Sequence, residues 1–244
     1  MALPLDLQSP SDRLIVALDT PSASSAMELV AELQGLCHWF KVGMELFYSA
    51  GGHIVTDLRD RGFEVFLDLK LHDIPNTVAG AVRSVSGLGA SLLTIHAAGG
   101  ESMMRAAAEV SSHSDAPALL AVTVLTSMDA ASLAATGVSD TPHAQVLRLA
   151  SLARDSGISG LVCSPQEVAA VRDAVGADFL TVVPGIRPAD AAGSDDQART
   201  ASAAAAIASG ASMLVVGRPI TKAPSPAKAA AALLAEIEAQ IKSA

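Results

Sequence analysis

Eight short runs rich in β-branched residues and leucine recur along this chain, with stretches of helical periodicity between them. The runs are LIVALD from Leu14, WFKVGM from Trp39, EVFLDLK from Glu64, LLTIHAA from Leu92, ALLAVTVLT from Ala118, GLVCS from Gly160, FLTVVPG from Phe179 and MLVVGRP from Met213. Between and after them, stretches such as SASSAMELVAELQGL, TVAGAVRSVSGLG, HAQVLRLASLARDSG, QEVAAVRDAVG and SPAKAAAALLAEIEAQI space apolar residues three and four apart. Several end at Gly, a frequent helix stop, and the last opens on Ser225 and Pro226, an N-cap followed by a first-turn proline. Strand and helix alternating in this way over 244 residues define an α/β chain and match the size of a (β/α)8 TIM barrel; a doubly wound open sheet uses the same alternation.

No linker divides the chain, so residues 1–244 are expected to form a single barrel domain, with residues 1–12 a peripheral N-terminal segment carrying no chemistry. Two irregular stretches stand out. Ser127 to Thr141 follows the fifth run and reads as a loop or short helix, and PADAAGSDDQART lies between the seventh and eighth. With 50% hydrophobic residues but only 3% aromatic, the core must be built from Ala, Val, Leu and Ile.

The net charge of −9 argues against a nucleic-acid surface, which needs a clustered excess of Lys and Arg, so an anionic ligand has to be captured locally. Cys37 and Cys163 sit in or beside apolar runs, as buried free thiols of a reducing compartment do. MALPLDLQSPSDR has no basic stretch followed by a long apolar one, and no segment reaches the length of a membrane span. The expectation is a soluble, cytoplasmic protein without membrane or nucleic-acid partners.

In a TIM barrel the loops at the carboxyl ends of the strands form the active face, and the polar residues of this chain collect there. LIVALD ends in Asp19, WFKVGM carries Lys41, EVFLDLK holds Asp68 and Lys70, TIHAA holds His96, VTVLTS ends in Thr126 and Ser127, VVPGIRP leads to Arg187, and VVGRP ends in Arg218. Along EVFLDLK the two-residue period puts Asp68 and Lys70 on one face and Val65, Leu67 and Leu69 on the other. Inward-facing ions are costly unless paired, and an array of Lys41, Asp68, Lys70 and Asp73 would satisfy itself. The simpler reading of the motif is a structural ion pair, with Asp73 as N-cap of the helix that Pro75 helps start. That reading leaves both lysines and Asp19 at the same rim unexplained.

MLVVGRP offers a phosphate grip: Gly217 and Arg218 follow an apolar strand, and Pro219 can open a short helix with free amides. The loop after the seventh run joins it, bringing Arg187 and Gln197. His53, His72 and His96 have no spacing that points to shared metal ligation; His96 reads as a lining residue and His72 as orienting the loop around Asp73.

With these residues in view, the chain resembles the orotidine 5'-phosphate decarboxylase family over nearly its whole length. VALD, KVG, DLKLHDIPNTV, TIHAAGG, VTVLTS, VVPGIRP and VVGRPIT occur in that family's order and approximate spacing. DxKxxD by itself is shared with related barrels; followed by IPNTV it is specific. The resemblance implies decarboxylation of orotidine 5'-monophosphate to UMP by catalytic Lys41, Asp68, Lys70 and Asp73, with no metal and no cofactor. It implies a homodimer in which Asp73 and Thr77 complete the neighbouring site. Asp19 and Lys41 are expected on the ribose hydroxyls, and Thr126 or Ser127 on the pyrimidine. Gln197 is expected between base and phosphate, and Arg187, Gly217 and Arg218 at the phosphate.

Two rivals differ in kind. Hexulose-phosphate synthases and keto-gulonate-phosphate decarboxylases resemble this chain in DxKxxD but use magnesium and a further carboxylate nearby, whereas here no acid follows Asp73 until Glu101. A non-catalytic nucleotide-binding barrel need not keep all four array positions.

Overall fold

The structure, a computed structural model, describes residues 5, 7–113, 115–187 and 199–243. Eight parallel strands follow one another around a closed barrel: β1 (Leu14–Ala17), β2 (Trp39–Gly43), β3 (Glu64–Leu71), β4 (Leu92–His96), β5 (Ala118–Val122), β6 (Gly160–Val162), β7 (Leu180–Val183) and β8 (Met213–Val216). Leu14 pairs with Leu214 and Ile15 with Val215, so the last strand returns to the first. That closure excludes the open doubly wound sheet. Each of the eight sequence runs supplies one strand.

Around the barrel lie α1 (Pro10–Arg13), α2 (Ala23–Glu32), α3 (Met44–Ala50), α4 (His53–Asp60), α5 (Pro75–Ser86), α6 (Gly100–Ser111), α7 (Ala130–Ala135), α8 (Pro142–Asp155), α9 (Val168–Val175), α10 (Ala203–Ala208), α11 (Arg218–Thr221) and α12 (Pro226–Ser243). The stretch from Ser127 to Thr141 contains α7, capped by Asp129, whose side chain accepts the N–H of Ser132. Of PADAAGSDDQART, only Arg199 and Thr200 fall within the described residues. Among the described residues no helix is long and apolar enough to cross a membrane.

Strand alternation divides the apolar residues into two cores. Leu14, Val16, Val65, Leu67, Leu93 and Ile95 pack outward against the helices, while Ile15, Trp39, Phe66, Leu92, Leu120, Leu180 and Met213 fill the barrel interior. Leu5 and Leu7 pack against that inner cluster, and α1 lies on α12. Arg172 of α9 gathers the carbonyls of Gly176, Ala177, Phe179 and Gly210 together with the hydroxyls of Thr181 and Ser212. It thereby ties the loops that enter β7 and β8. At Gly160 a Cβ would lie 2.4 Å from the Leu180 carbonyl oxygen, so only glycine allows β6 and β7 to pair here.

Candidate active site

The inner face changes character as the strands climb. Trp39 is followed two residues later by Lys41, Phe66 by Asp68 and then Lys70, and Leu92 by Thr94, so an apolar layer lies beneath a polar one. Lys41 and Asp68 each keep only 8% of their surface, a burial that ions tolerate only with partners. Lys41 Nζ lies 2.9 Å from Asp19 Oδ1 and 3.4 Å from Asp68 Oδ2. Lys70 Nζ donates to Asp68 Oδ1 at 2.7 Å, and the Thr94 hydroxyl donates to the same oxygen at 2.9 Å. One carboxylate thus holds two ammonium groups, one on each oxygen.

Burial pushes the Asp68 carboxyl up, but Lys41, Lys70 and the hydrogen bonds from Lys70 and Thr94 outweigh it and hold the group below the ordinary aspartate range. Lys41 is the mirror case: burial favours its neutral form, and Asp68 and Asp19 overcome that and keep it protonated. Both groups are therefore ionised at neutral pH in a region largely shielded from water.

The backbone beneath them is irregular. Leu67 pairs with Leu93 and Leu71 with Ile95, so β3 takes four steps where β4 takes two, a bulge centred on Asp68, Leu69 and Lys70. Lys70 has φ of 50°, the left-handed region, and among the described residues no other non-glycine has positive φ. Such a conformation costs a lysine about 1–2 kcal/mol. Its N–H donates to Thr94 Oγ1 at 2.9 Å.

Above this layer opens a cavity of about 390 Å³ lined by Asp19, Lys41, Asp68, Lys70, Thr126, Arg187, Gly217 and Arg218, together with apolar residues that include Phe66, Val124 and Val215. Such a volume suits a small ligand. Polarity is uneven around it: the lysine and aspartate cluster stands on the β1–β3 side, and Arg187, Arg218 and Lys222 contribute positive charge from the loops after β7 and β8.

The remaining expected site residues fall elsewhere. Ser127 is exposed and does not line the cavity, whereas Thr126 does. Asp73 and Thr77 are exposed at the turn after β3 and the start of α5. Gln197 lies outside the described residues. Asp73 does not cap α5 as the simpler reading held: Ile74 is the N-cap with Pro75 next, and the Asp73 carboxylate accepts the N–H of Ile74 at 2.6 Å. With its proline already lacking the first orphan donor, the helix starts without a side-chain cap. His96 is half-buried with its ring 5.3 Å from that of His72. Burial, His72 and Lys70 favour its neutral form.

Several participants escaped the sequence reading. Thr94 is fully buried on the inner face of β4; its signal was the alternation that also placed Leu92 and His96. Gly43 leaves room for the Asp19–Lys41 pair, since a Cβ there would stand 2.9 Å from Asp19 Oδ1 and 3.0 Å from Lys41 Nζ. Lys222 follows α11 as its C-cap and reads as an ordinary surface lysine in the sequence. Arg199 pairs with buried Glu167, itself bonded to Ser164, and donates to the carbonyls of Val124 and Leu125 just before Thr126. Cys37 and Cys163 are buried free thiols, both pushed up to about 12 by burial.

Comparison with known proteins converges on one group. The model of the family described as "Orotidine 5'-phosphate decarboxylase / HUMPS family" matches residues 12–233. A curated protein named orotidine 5'-phosphate decarboxylase from Halorhodospira halophila is 54% identical over 228 residues, covering 93% of this chain and 96% of its own. Its namesake from Opitutus terrae is 50% identical over 226 residues, covering 92% and 98%. Among solved structures, one titled orotidine 5'-phosphate decarboxylase from Lactobacillus acidophilus superposes with a TM-score of 0.82 at 40% identity, covering 92% of this chain and 98% of that one.

Proposed function

This chain belongs to the orotidine 5'-phosphate decarboxylase / HUMPS family, and we propose that it converts orotidine 5'-monophosphate to UMP and CO2, the closing reaction of pyrimidine nucleotide synthesis. The observation that carries this reading is the pair of ammonium groups on one buried carboxylate at the cavity wall, Lys41 and Lys70 on Asp68. The family's description names a second group, HUMPS, as well, but relatives at about half identity are named for the nucleotide reaction. The donor set agrees, because Asp19 and Asp68 already neutralise lysines and are poorly disposed to share a divalent cation.

In the mechanism we infer, the bond from C6 of the pyrimidine to its carboxylate breaks, its electron pair stays on C6, and a proton takes the place of CO2. Atoms and charge balance with one proton consumed, and nothing is oxidised or reduced, so we read the reaction as needing neither coenzyme nor metal. Asp68 would face the substrate carboxylate; at about 4 Å two like charges repel by roughly 4 kcal/mol at an effective dielectric near 20, a repulsion that departure of CO2 relieves. Lys70 would stabilise the carbanion and then protonate it. The second effect is the larger, because a fixed cation acts on charge that exists only beyond the ground state. Arg187, Gly217 and Arg218, with Gln197, would hold the phosphate, Asp19 and Lys41 the ribose hydroxyls, and Thr126 the base; Ser127, exposed at the same loop, is the less suitable partner.

The chain is read as a homodimer, with Asp73 and Thr77 serving the neighbouring site. Both are exposed, and so are Ile74, Met44 and Tyr48, large apolar side chains that keep 67%, 44% and 75% of their surface and gain from being covered. Its buried free thiols suit the cytoplasm. The test is loss of orotate absorbance on mixing EDTA-treated protein with orotidine 5'-monophosphate: steady decay to UMP supports the reading, and no decay, or decay that returns only with magnesium, refutes it.

A further inference from the structure

The bulge in β3 sets three residues, Asp68 to Lys70, against one residue of β4, Thr94. A regular parallel ladder would offer each buried N–H a backbone carbonyl. Here the left-handed turn at Lys70 takes its N–H out of that register, and the Thr94 hydroxyl oxygen accepts it instead at 2.9 Å. A hydroxyl has one proton to donate. With its oxygen engaged by Lys70, Thr94 directs that proton to Asp68 Oδ1 at 2.9 Å, the oxygen that also receives the Lys70 ammonium at 2.7 Å. The backbone of Lys70 is thus tied to Thr94, its side-chain head to Asp68, and the two partners to each other. Thr94 itself is fully buried and does not line the cavity.

We infer that Thr94 is a positioning residue for the decarboxylation: its single hydroxyl holds the strained turn that aims Lys70 and fixes the Asp68 oxygen on which the ammonium rests. The role depends on the function proposed above and adds a residue to it. Packing alone does not require a hydroxyl here, because valine has nearly the same shape and the neighbouring strand residues Leu92, Leu93 and Ile95 are apolar. What valine lacks is the acceptor for Lys70 N–H and the donor for Asp68. Freed from both, Lys70 would relax toward ordinary extended backbone and carry its ammonium off target, and displacements on the order of 1 Å cost about 10²-fold in rate.

The experiment compares Thr94→Val and Thr94→Ser with the parent on orotidine 5'-monophosphate, with UMP binding measured by calorimetry. We expect kcat of the valine variant to fall about 10²-fold while KM and the UMP dissociation constant stay within about threefold, and serine to return kcat to within about tenfold of the parent. The acid limb of the kcat profile should also move to higher pH in the valine variant, since Asp68 loses a donor that favours its ionised form. Parent-like kcat in the valine variant, or equal losses in valine and serine, overturns the inference. Should valine prevent folding, Thr94→Ala against Thr94→Ser makes the same comparison, and the same two results decide it. An inactive parent would sink the decarboxylase reading, whereas an active parent with an equally active valine variant sinks only the role of Thr94.

Discussion

Replacing Lys70 by methionine keeps the unbranched stem of the side chain, one atom shorter, and removes its charge and its proton. The ammonium stands 2.7 Å from Asp68 Oδ1 on the cavity wall, with 28% of the side chain exposed. A carbanion formed at about 3–4 Å from that nitrogen would be stabilised by about 4–5.5 kcal/mol at an effective dielectric near 20. That corresponds to about 10³–10⁴ in rate. Proton delivery by a positioned acid adds about 10²–10⁴. The two together put the expected fall in kcat/KM at about 10⁵-fold or more. The fold should survive, because Asp68 retains Lys41 at 3.4 Å and the Thr94 hydroxyl at 2.9 Å. UMP has no carboxylate and no carbanion, so its affinity should change little. Following orotate absorbance gives the first quantity and calorimetry with UMP the second. Turnover within about a hundredfold of the parent, at intact UMP binding, would refute the assignment of charge stabilisation and protonation to Lys70.

Arg218→Ala should weaken UMP about 10–100-fold, the worth of a charged hydrogen bond, and leave uridine binding unchanged; equal losses for both ligands would remove Arg218 from the phosphate. The Asp68–Lys41 pair carries a pH signature. Asp68 lies below its ordinary 3.8, so its stabilising share is complete above that pH and is lost as pH falls through the lower folded value. Lys41 lies above 10.5, so its share is complete below that pH and disappears as pH rises through the higher folded value. Asp68→Asn should therefore flatten the acid limb of urea stability, and identical limbs in parent and variant would contradict the pairing. Away from the cavity, Arg172→Ala strips partners from six acceptors. A loss of about 3–5 kcal/mol there should lower Tm by about 6–20 °C without changing kcat at temperatures well below it, and an unchanged Tm would deny the staple.

Local periodicity carried a large share of the architecture. The runs beginning at Leu14, Trp39, Glu64 and Leu92 each became a strand, and the two-residue alternation in EVFLDLK put Asp68 and Lys70 on the inner face while Leu67 and Leu69 went outward. Patterns of this kind are visible because a strand sorts its side chains by position alone. Asp73 shows where such reasoning thins: the residues around Pro75 announced a helix start, yet which residue served as cap depended on the path of the chain out of the barrel.

What the sequence determined by itself, then, is the succession of strands and helices, the gathering of polar residues at the carboxyl ends of the strands, and the family to which the motif DLKLHDIPNTV points. Only the tertiary structure decided that β8 meets β1, that Thr94 answers three residues of β3, that Gly43 makes room for Asp19 beside Lys41, and that Arg199 reaches Glu167 and the carbonyls ahead of Thr126. The division has a physical cause. Which face a residue occupies follows from its neighbours along the chain, whereas register, bulges and the partners of buried polar atoms are set between strands that the sequence keeps far apart.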